Sequence, residues 1–299
     1  MVSMKVKIVS CAALLFFIVG ATLSTEASKS KDGTFPYNSF VIPCTVEAAK
    51  LFVSSCLLTL SIQRGERPVM SFSPHKFALY GLPALCYFVS NNCMLFIIRE
   101  LGPSTFQIMS NLKVLATGIL MRIFMGKKLH WLQWKALFLL VLGSAVTQFS
   151  SGDTDRRTHS AKGYVLVVIH CFASGAGGVV SEKLLKGNAH SAVDTVHWQN
   201  MQLYFFGLVF GLVGSWSTFR DNIIGNVFAG FNIWAYLTVA SLTIVGLLVS
   251  FILKHLDNIA KCFVAAASVI FVAVIHAVLR GEIIVTVFLV AFGQFNGLL

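Results

Sequence analysis

Lys113 stands inside the run "STFQIMSNLKVLATGILM" (104–121), where it is the only charged residue. An ammonium group placed in hydrocarbon costs several kcal/mol, so it must face either an acid or a water-filled cavity that admits an anion. Asn111, two residues away, adds a hydrogen-bonding group without charge. A second lysine, Lys261, occupies a comparable place in "LKHLDNIAKCF" (253–263). Asp257 and Asn258 precede it and suit the N-cap of a following helix, which leaves Lys261 one turn inside. Two such lysines could clamp the phosphates of one anionic substrate, or each could be structural: Lys113 paired with a buried acid such as Glu47, Lys261 snorkelling from a helix end. Glu47 and Lys50 lie at i and i+3 in "TVEAAKL" (45–51), a spacing that allows a pair within one helix as well as a role in a cavity. Uncharged groups able to read a base or a sugar recur in other runs. Asn91 and Asn92 are adjacent and so point about 100° apart on a helix. Asn200, Gln202 and Tyr204 fall in "WQNMQLYFFG" (198–207), where Asn200 and Tyr204 share a face.

The elements that must carry these groups are apolar throughout. Of 299 residues, 56% are hydrophobic and 12% charged, about half the charge of an ordinary soluble domain at roughly 25%. Apolar stretches long enough to cross a bilayer as helices recur at about 6–23, 39–62, 76–98, 105–125, 131–149, 163–185, 198–219, 231–253, 259–279 and 283–299. The expected fold is all-α: a polytopic membrane protein of about ten transmembrane helices. Lys113 then lies about eight residues into the fourth span, roughly 12 Å deep, too deep for easy snorkelling. Five spans fall on each side of the polar loop at 151–162, so residues 1–150 and 163–299 form two five-helix repeats. An odd number of spans per repeat inverts the second against the first, a plan whose substrate site lies near the bilayer midplane.

Charge fixes the expected orientation. With the N-terminus in the cytosol, Lys and Arg favour that side, including Arg64, Arg67, Lys127, Lys128, Lys183 and Lys186, which also returns the C-terminus to the cytosol. The first span follows Lys5 and Lys7 and ends near "ATLSTEA", so it reads either as a retained span, the favoured choice, or as a cleaved leader. The net charge of +11 serves topology and an anionic ligand, with no basic-aromatic cluster for nucleic acid. The seven cysteines form no C-x-x-C pair, so neither zinc nor a disulfide framework is expected. Gly175, Gly177 and Gly178 permit close helix approach and lack the phosphate-loop pattern of an ATPase. Glu182 and Lys183 are expected at the interface, and His170 and His276 in packing or hydrogen-bonding roles. No catalytic constellation is present, and no cofactor or metal is called for.

Five motifs in order resemble the nucleotide-sugar transporters of the drug/metabolite transporter superfamily, in the branch with CMP-sialic acid, UDP-galactose and UDP-N-acetylglucosamine transporters and its plant-type members. They are "TVEAAKL" at 45–51, "NNCMLFIIRELGPSTFQIMSNLKVLATGILMR" at 91–122, "LQWKALFLLVLGSAVTQ" at 132–148, "WQNMQLY" at 198–204 and "GLLVSFILKHLDNIAK" at 246–261. The resemblance implies a Golgi or endoplasmic reticulum antiporter that imports a pyrimidine nucleotide sugar and returns the nucleoside monophosphate. It implies that Lys113 and Lys261 contact the phosphates. It places Asn91, Asn92, Tyr204 and Ser250 beside the base and sugar. Departures from the family pattern are Ser90 in place of glutamine, Phe106 and Ser110 in place of tyrosines, and Gln199 in place of arginine. Other readings are a carrier of another phosphorylated metabolite, or a non-transporting membrane partner of a glycosyltransferase, kept open by a tenth span that is barely complete. Partners beyond membrane lipid and the transported nucleotides are a homo-oligomer or a glycosyltransferase.

Overall fold

The computed structural model describes residues 3–30, 32, 34–38, 41–101, 106, 109, 112–127, 130, 131, 134, 135, 138, 161–187, 195–214 and 227–280. Eight α-helices fall among them: α1 Met4–Ala27, α2 Val41–Gln63, α3 Pro74–Leu101, α4 Leu112–Met125, α5 Ala161–Lys186, α6 Val196–Gly214, α7 Ile233–His255 and α8 Asn258–Arg280. Among the described residues the secondary structure is all helical, and α1, α2, α5 and α7 are each long and apolar enough to cross a membrane by length and composition. Asn111, Ser110, the loop at 151–160, the side chain of His276, most of the expected fifth span and the whole of the tenth lie outside the described residues.

Local chemistry sets the helix ends. Ser3 caps α1 by accepting from the Val6 N–H, and Asn232 caps α7 by accepting from the Ala235 N–H at 2.9 Å. Gly187 follows α5 with φ of 59° and donates its N–H to the Lys183 carbonyl, as expected for a glycine stop. Large apolar side chains such as Phe16, Phe52, Phe124 and Val213 point outward from the helices. A bilayer, not water, is the solvent that suits such a surface.

The chain divides into two compact units drawn from separate stretches. One comprises residues 1–85 and 181–268. Its contacts fix helix directions. Ile42 and Val46 pack on Ala235 and Val239, so α2 and α7 run parallel. Cys44, Glu47 and Lys50 lie opposite Gly211, Gly207 and Tyr204 in turn, so α6 runs against α2. On the other flank of α7, Ser24 and Thr25 meet Thr238, and the Asn232 amide donates to the Ser28 carbonyl, so α1 runs against α7. Polar contacts of this kind substitute for the hydrophobic drive that lipid does not provide. The other unit comprises 86–180 and 269–299, with a core of Ile97, Leu101, Phe106, Ala116, Val167 and Cys171.

Many Ser and Thr hydroxyls turn back onto their own helix. Thr22, Thr45, Thr117, Thr238 and Thr243 each donate to the carbonyl four residues earlier, at 2.7–3.0 Å. This satisfies the hydroxyl internally and lets it lie in an apolar layer.

At the junction before α7, Gly230 has φ of 77°, and a Cβ there would fall onto the Pro36 carbonyl. Neither the backbone angle nor the neighbouring backbone can give way easily. Gly230→Ala is expected to destabilise the protein by about 2 kcal/mol or more, read as a lower thermal midpoint in detergent. An unchanged midpoint would show that the junction relaxes freely.

Candidate functional site

A polar wall forms where α2, α6 and α7 meet. Lys50, 9% exposed, pairs with Glu47 one turn earlier at 2.5 Å between Nζ and Oε1. Its Nζ also lies 4.5 Å from the centre of the Tyr204 ring, a cation–π contact. The Tyr204 hydroxyl donates to the Gly246 carbonyl at 3.1 Å and shares a 2.9 Å hydrogen bond with Ser250 Oγ. Small residues make room for these groups. A Cβ on Gly207 would lie 2.7 Å from Glu47 Oε2, and one on Gly246 would overlap the Lys50 stem. Asn200, one turn before Tyr204, is 1% exposed, and its Oδ1 finds no partner among the described residues. Gln202 is also buried and donates weakly to the Trp198 carbonyl at 3.4 Å.

The hydroxyl of Tyr204 joins α6 to α7, so Tyr204→Phe is expected to cost about 1 kcal/mol while the cation–π contact survives. The thermal midpoint in detergent should fall by a few degrees, and further in Tyr204→Leu, which loses the ring as well. Equal midpoints for the two variants would argue against a role for the ring over Lys50.

A second cluster joins the end of α5 to the α7–α8 turn. Glu182 is fully buried. Its Oε1 pairs with Lys186 at 2.6 Å and its Oε2 accepts the Asn258 N–H at 2.8 Å. Lys186 reaches on to the Leu256 carbonyl. Asp257 accepts the Ala260 N–H at 2.8 Å, so two carboxylates cover the first amides of α8. Lys261 follows in that first turn, half-buried. Nearby, Gln199 bridges three helices: Nε2 donates to the Leu184 and Leu185 carbonyls of α5, and Oε1 accepts from Lys254 of α7 at 2.7 Å.

In the other unit, Lys113 lies half-buried in α4, within electrostatic reach of His170 and Cys171. Its carbonyl accepts the Thr117 hydroxyl at 2.7 Å. Gly175 lets α5 approach there, since a Cβ would stand 3.1 Å from Thr117 Oγ1, and Gly177 does the same against the Tyr87 ring. His170 Nδ1 lies 3.0 Å from both Oγ and the carbonyl oxygen of Ser90. Asn91 is exposed, while Asn92 is half-buried and donates to the Phe88 carbonyl at 2.8 Å. Among the described residues no group of three His, Cys, Asp or Glu could hold a metal ion.

Comparison with known proteins adds what geometry cannot. The profile described as nucleotide-sugar transporter matches residues 2–295. The chain belongs to that family. It is 32% identical over 280 residues to CMP-sialic acid transporter 1 of Oryza sativa subsp. japonica, covering 90% of this chain and 85% of the relative. It is 31% identical over 264 residues to CMP-sialic acid transporter 1 of Arabidopsis thaliana, covering 84% and 76%. A probable UDP-sugar transporter protein of Xenopus tropicalis is 28% identical over 247 residues, covering 80% and 74%. A solved crystal structure aligns over 98% of this chain and 96% of the other with a TM-score of 0.68 at 13% identity, a likeness of fold alone. The family is one of transporters, not enzymes.

Within this member of the nucleotide-sugar transporter family, the structure brings several predicted residues together. Glu47 and Lys50 form the pair their spacing allows, so Glu47 is engaged within its own helix. Tyr204 meets Ser250 directly. Asp257 caps α8 as expected, whereas the Asn258 side chain does not cap; it is fully buried, and the residue contributes its backbone N–H to Glu182. Glu182, expected at the interface, is fully buried within the protein: its carboxylate serves the end of its own helix and the start of α8 at once. His170 makes the hydrogen bond expected of it. The Gln199–Lys254 bridge was not foreseen. Its only sequence signal was an uncharged polar residue, Gln199, in an apolar run, facing the Lys254 ammonium across helices.

Proposed function

We propose that the protein is an antiporter that brings a pyrimidine nucleotide sugar, of the UDP-sugar or CMP-sialic acid type, into the lumen of the Golgi or endoplasmic reticulum and returns the nucleoside monophosphate. The observation that carries this reading is the polar wall of α6. Asn200 and Tyr204 are buried one turn apart, with Lys50 of α2 over the ring and Ser250 of α7 on the hydroxyl. Polar and charged groups enclosed by apolar helices are costly and are retained for substrate pathways. An acceptor such as Asn200 Oδ1, without a partner among the described residues, suits a donor on a base or sugar.

In this proposal Lys113 and Lys261 hold the substrate phosphates. Asn91, Asn92, Asn111, Asn200, Gln202, Tyr204 and Ser250 meet the base and sugar. Glu47, Lys50, Asp257 and Asn258 shape and support the cavity. The fold is completed as ten helices in two inverted repeats, 1–150 and 163–299, with both termini cytosolic. Exchange follows from charge: a nucleotide sugar or a monophosphate each brings phosphate to the same lysines, so either one can accompany the crossing. Names of relatives support both the cytidine and the uridine class.

The test is exchange in proteoliposomes preloaded with UMP, CMP or GMP and offered labelled UDP-, CMP- and GDP-sugars. Uptake that depends on one internal monophosphate establishes the antiporter and its base. Uptake of a phosphorylated metabolite insensitive to nucleotides would favour the other carrier class. Folded protein without any uptake would favour a non-transporting partner of a glycosyltransferase.

A further inference from the structure

His170 is a polar residue in the apolar run "GYVLVVIHCFASG" (163–175), 6% exposed, on the one face of α5 that meets α3. Its Nδ1 stands 3.0 Å from Ser90 Oγ and 3.0 Å from the Ser90 carbonyl oxygen, and the Ser90 hydroxyl donates back to the His170 carbonyl at 3.4 Å. A carbonyl can only accept, so Nδ1 carries the proton and Nε2 is left as a lone pair. That Nε2 is enclosed and has no hydrogen-bond partner among the described residues. The Phe106 ring packs edge-on against the imidazole at 5.3 Å and 70°. Ser90 itself is 3% exposed.

Two further features give this arrangement meaning. Ser90 is immediately followed by Asn91 and Asn92, so the imidazole grips α3 at the turn that presents the asparagine pair. Ser90 and Phe106 both touch the same ring, one by a hydrogen bond and one edge-on. A serine is too short to span between helices on its own; the histidine supplies the reach.

We propose that His170 is a positioning residue: its Nδ1–H fixes the turn of α3 that carries Asn91 and Asn92, and so sets how well that pair accepts its nucleotide sugar. This rests on the assignment of Asn91 and Asn92 to the substrate. The grip acts through one nitrogen, and side chains of different length separate it from packing. Asparagine places an N–H where Nδ1 stands; glutamine places one where Nε2 stands; leucine fills the space and donates nothing.

The experiment measures uptake of the transported nucleotide sugar by wild-type, His170→Leu, His170→Asn and His170→Gln in proteoliposomes, together with thermal midpoints in detergent. The expected result is a KM raised about tenfold in His170→Leu and His170→Gln, the worth of one lost hydrogen bond. Maximal rate should stay within about twofold, and His170→Asn should lie near wild type. An unchanged KM in His170→Leu, or a His170→Asn as poor as His170→Leu, overturns the proposal, as does rescue by His170→Gln alone, which would move the action to Nε2. Should His170→Leu fail to fold, the asparagine–glutamine contrast decides. A second readout does not depend on transport. With Asn91→Cys introduced, maleimide modification at that position is followed by site-resolved mass spectrometry. Its rate should change when His170→Leu is added and not when His170→Asn is added. Equal rates overturn the positioning role. A wild-type protein that moves no nucleotide sugar while the rates differ would instead overturn the functional reading alone.

Discussion

Lys113→Gln is expected to lower nucleotide-sugar exchange by about 10- to 150-fold at subsaturating substrate, the range of one lost hydrogen bond to a charged group at about 1.5–3 kcal/mol. The side chain keeps its length and loses its charge. Lys113 is half-buried in α4, and its carbonyl accepts the Thr117 hydroxyl. Protein yield and thermal midpoint measured alongside separate a substrate role, which leaves them near wild type, from a structural one, which lowers them. Lys113→Arg keeps the charge in a different shape and should retain part of the activity. Proteoliposomes preloaded with the cognate monophosphate give the measurement directly. Exchange that survives Lys113→Gln at the wild-type rate would end the assignment of this lysine to the phosphates.

The largest effect on stability is expected at Glu182. Its carboxylate is fully enclosed and serves an ammonium on one oxygen and a helix N-terminal amide on the other. Glu182→Ala would leave the Asn258 N–H without its acceptor and the part-exposed Lys186 ammonium without its carboxylate. Removing one member of a fully buried pair costs about 3–5 kcal/mol, and the partial exposure of Lys186 puts the expected loss at the low end, about 3 kcal/mol. For a chain of this size that corresponds to a drop of roughly 5 °C in thermal midpoint. Glu182→Gln keeps an oxygen for Asn258 and gives up the ion pair, so its midpoint should fall between alanine and wild type. A midpoint for Glu182→Ala within about 1 °C of wild type, well below the roughly 5 °C expected, would show that Lys186 and α8 find other partners at no cost.

The helices and their apolar exterior were legible because a bilayer allows few alternatives. An apolar run near 20 residues can only be a helix there, and α1, α2, α5 and α7 follow from length and composition alone. The Glu47–Lys50 pair was legible for a similar reason, because i,i+3 neighbours touch whatever surrounds them. What sequence could not supply was which faces meet across helices. Nothing in the separation of Tyr204 from Ser250, or of Gln199 from Lys254, announces contact, since both pairs depend on α6 running against α7. The enclosure of Glu182 was hidden for a related reason. A charge near the end of an apolar run ordinarily reaches the interface, but here the α7–α8 turn folds over it. Lys113 and Lys261 became substrate candidates through charge and depth, with motif resemblance supplying the phosphate.

The hydroxyls that turn back onto their own helices have a mechanical consequence. A carbonyl shared between an amide and a hydroxyl holds its turn less stiffly, and such turns are where helices bend. In α7 they recur at Thr238, Thr243 and Ser250, along the same helix that leans on α1, α2 and α6. That helix is therefore a rod with graded compliance. Load applied near Ser250 can be absorbed as curvature over the next turns and need not be passed undiminished to the far end, where Asn232 and Ser28 stay pinned.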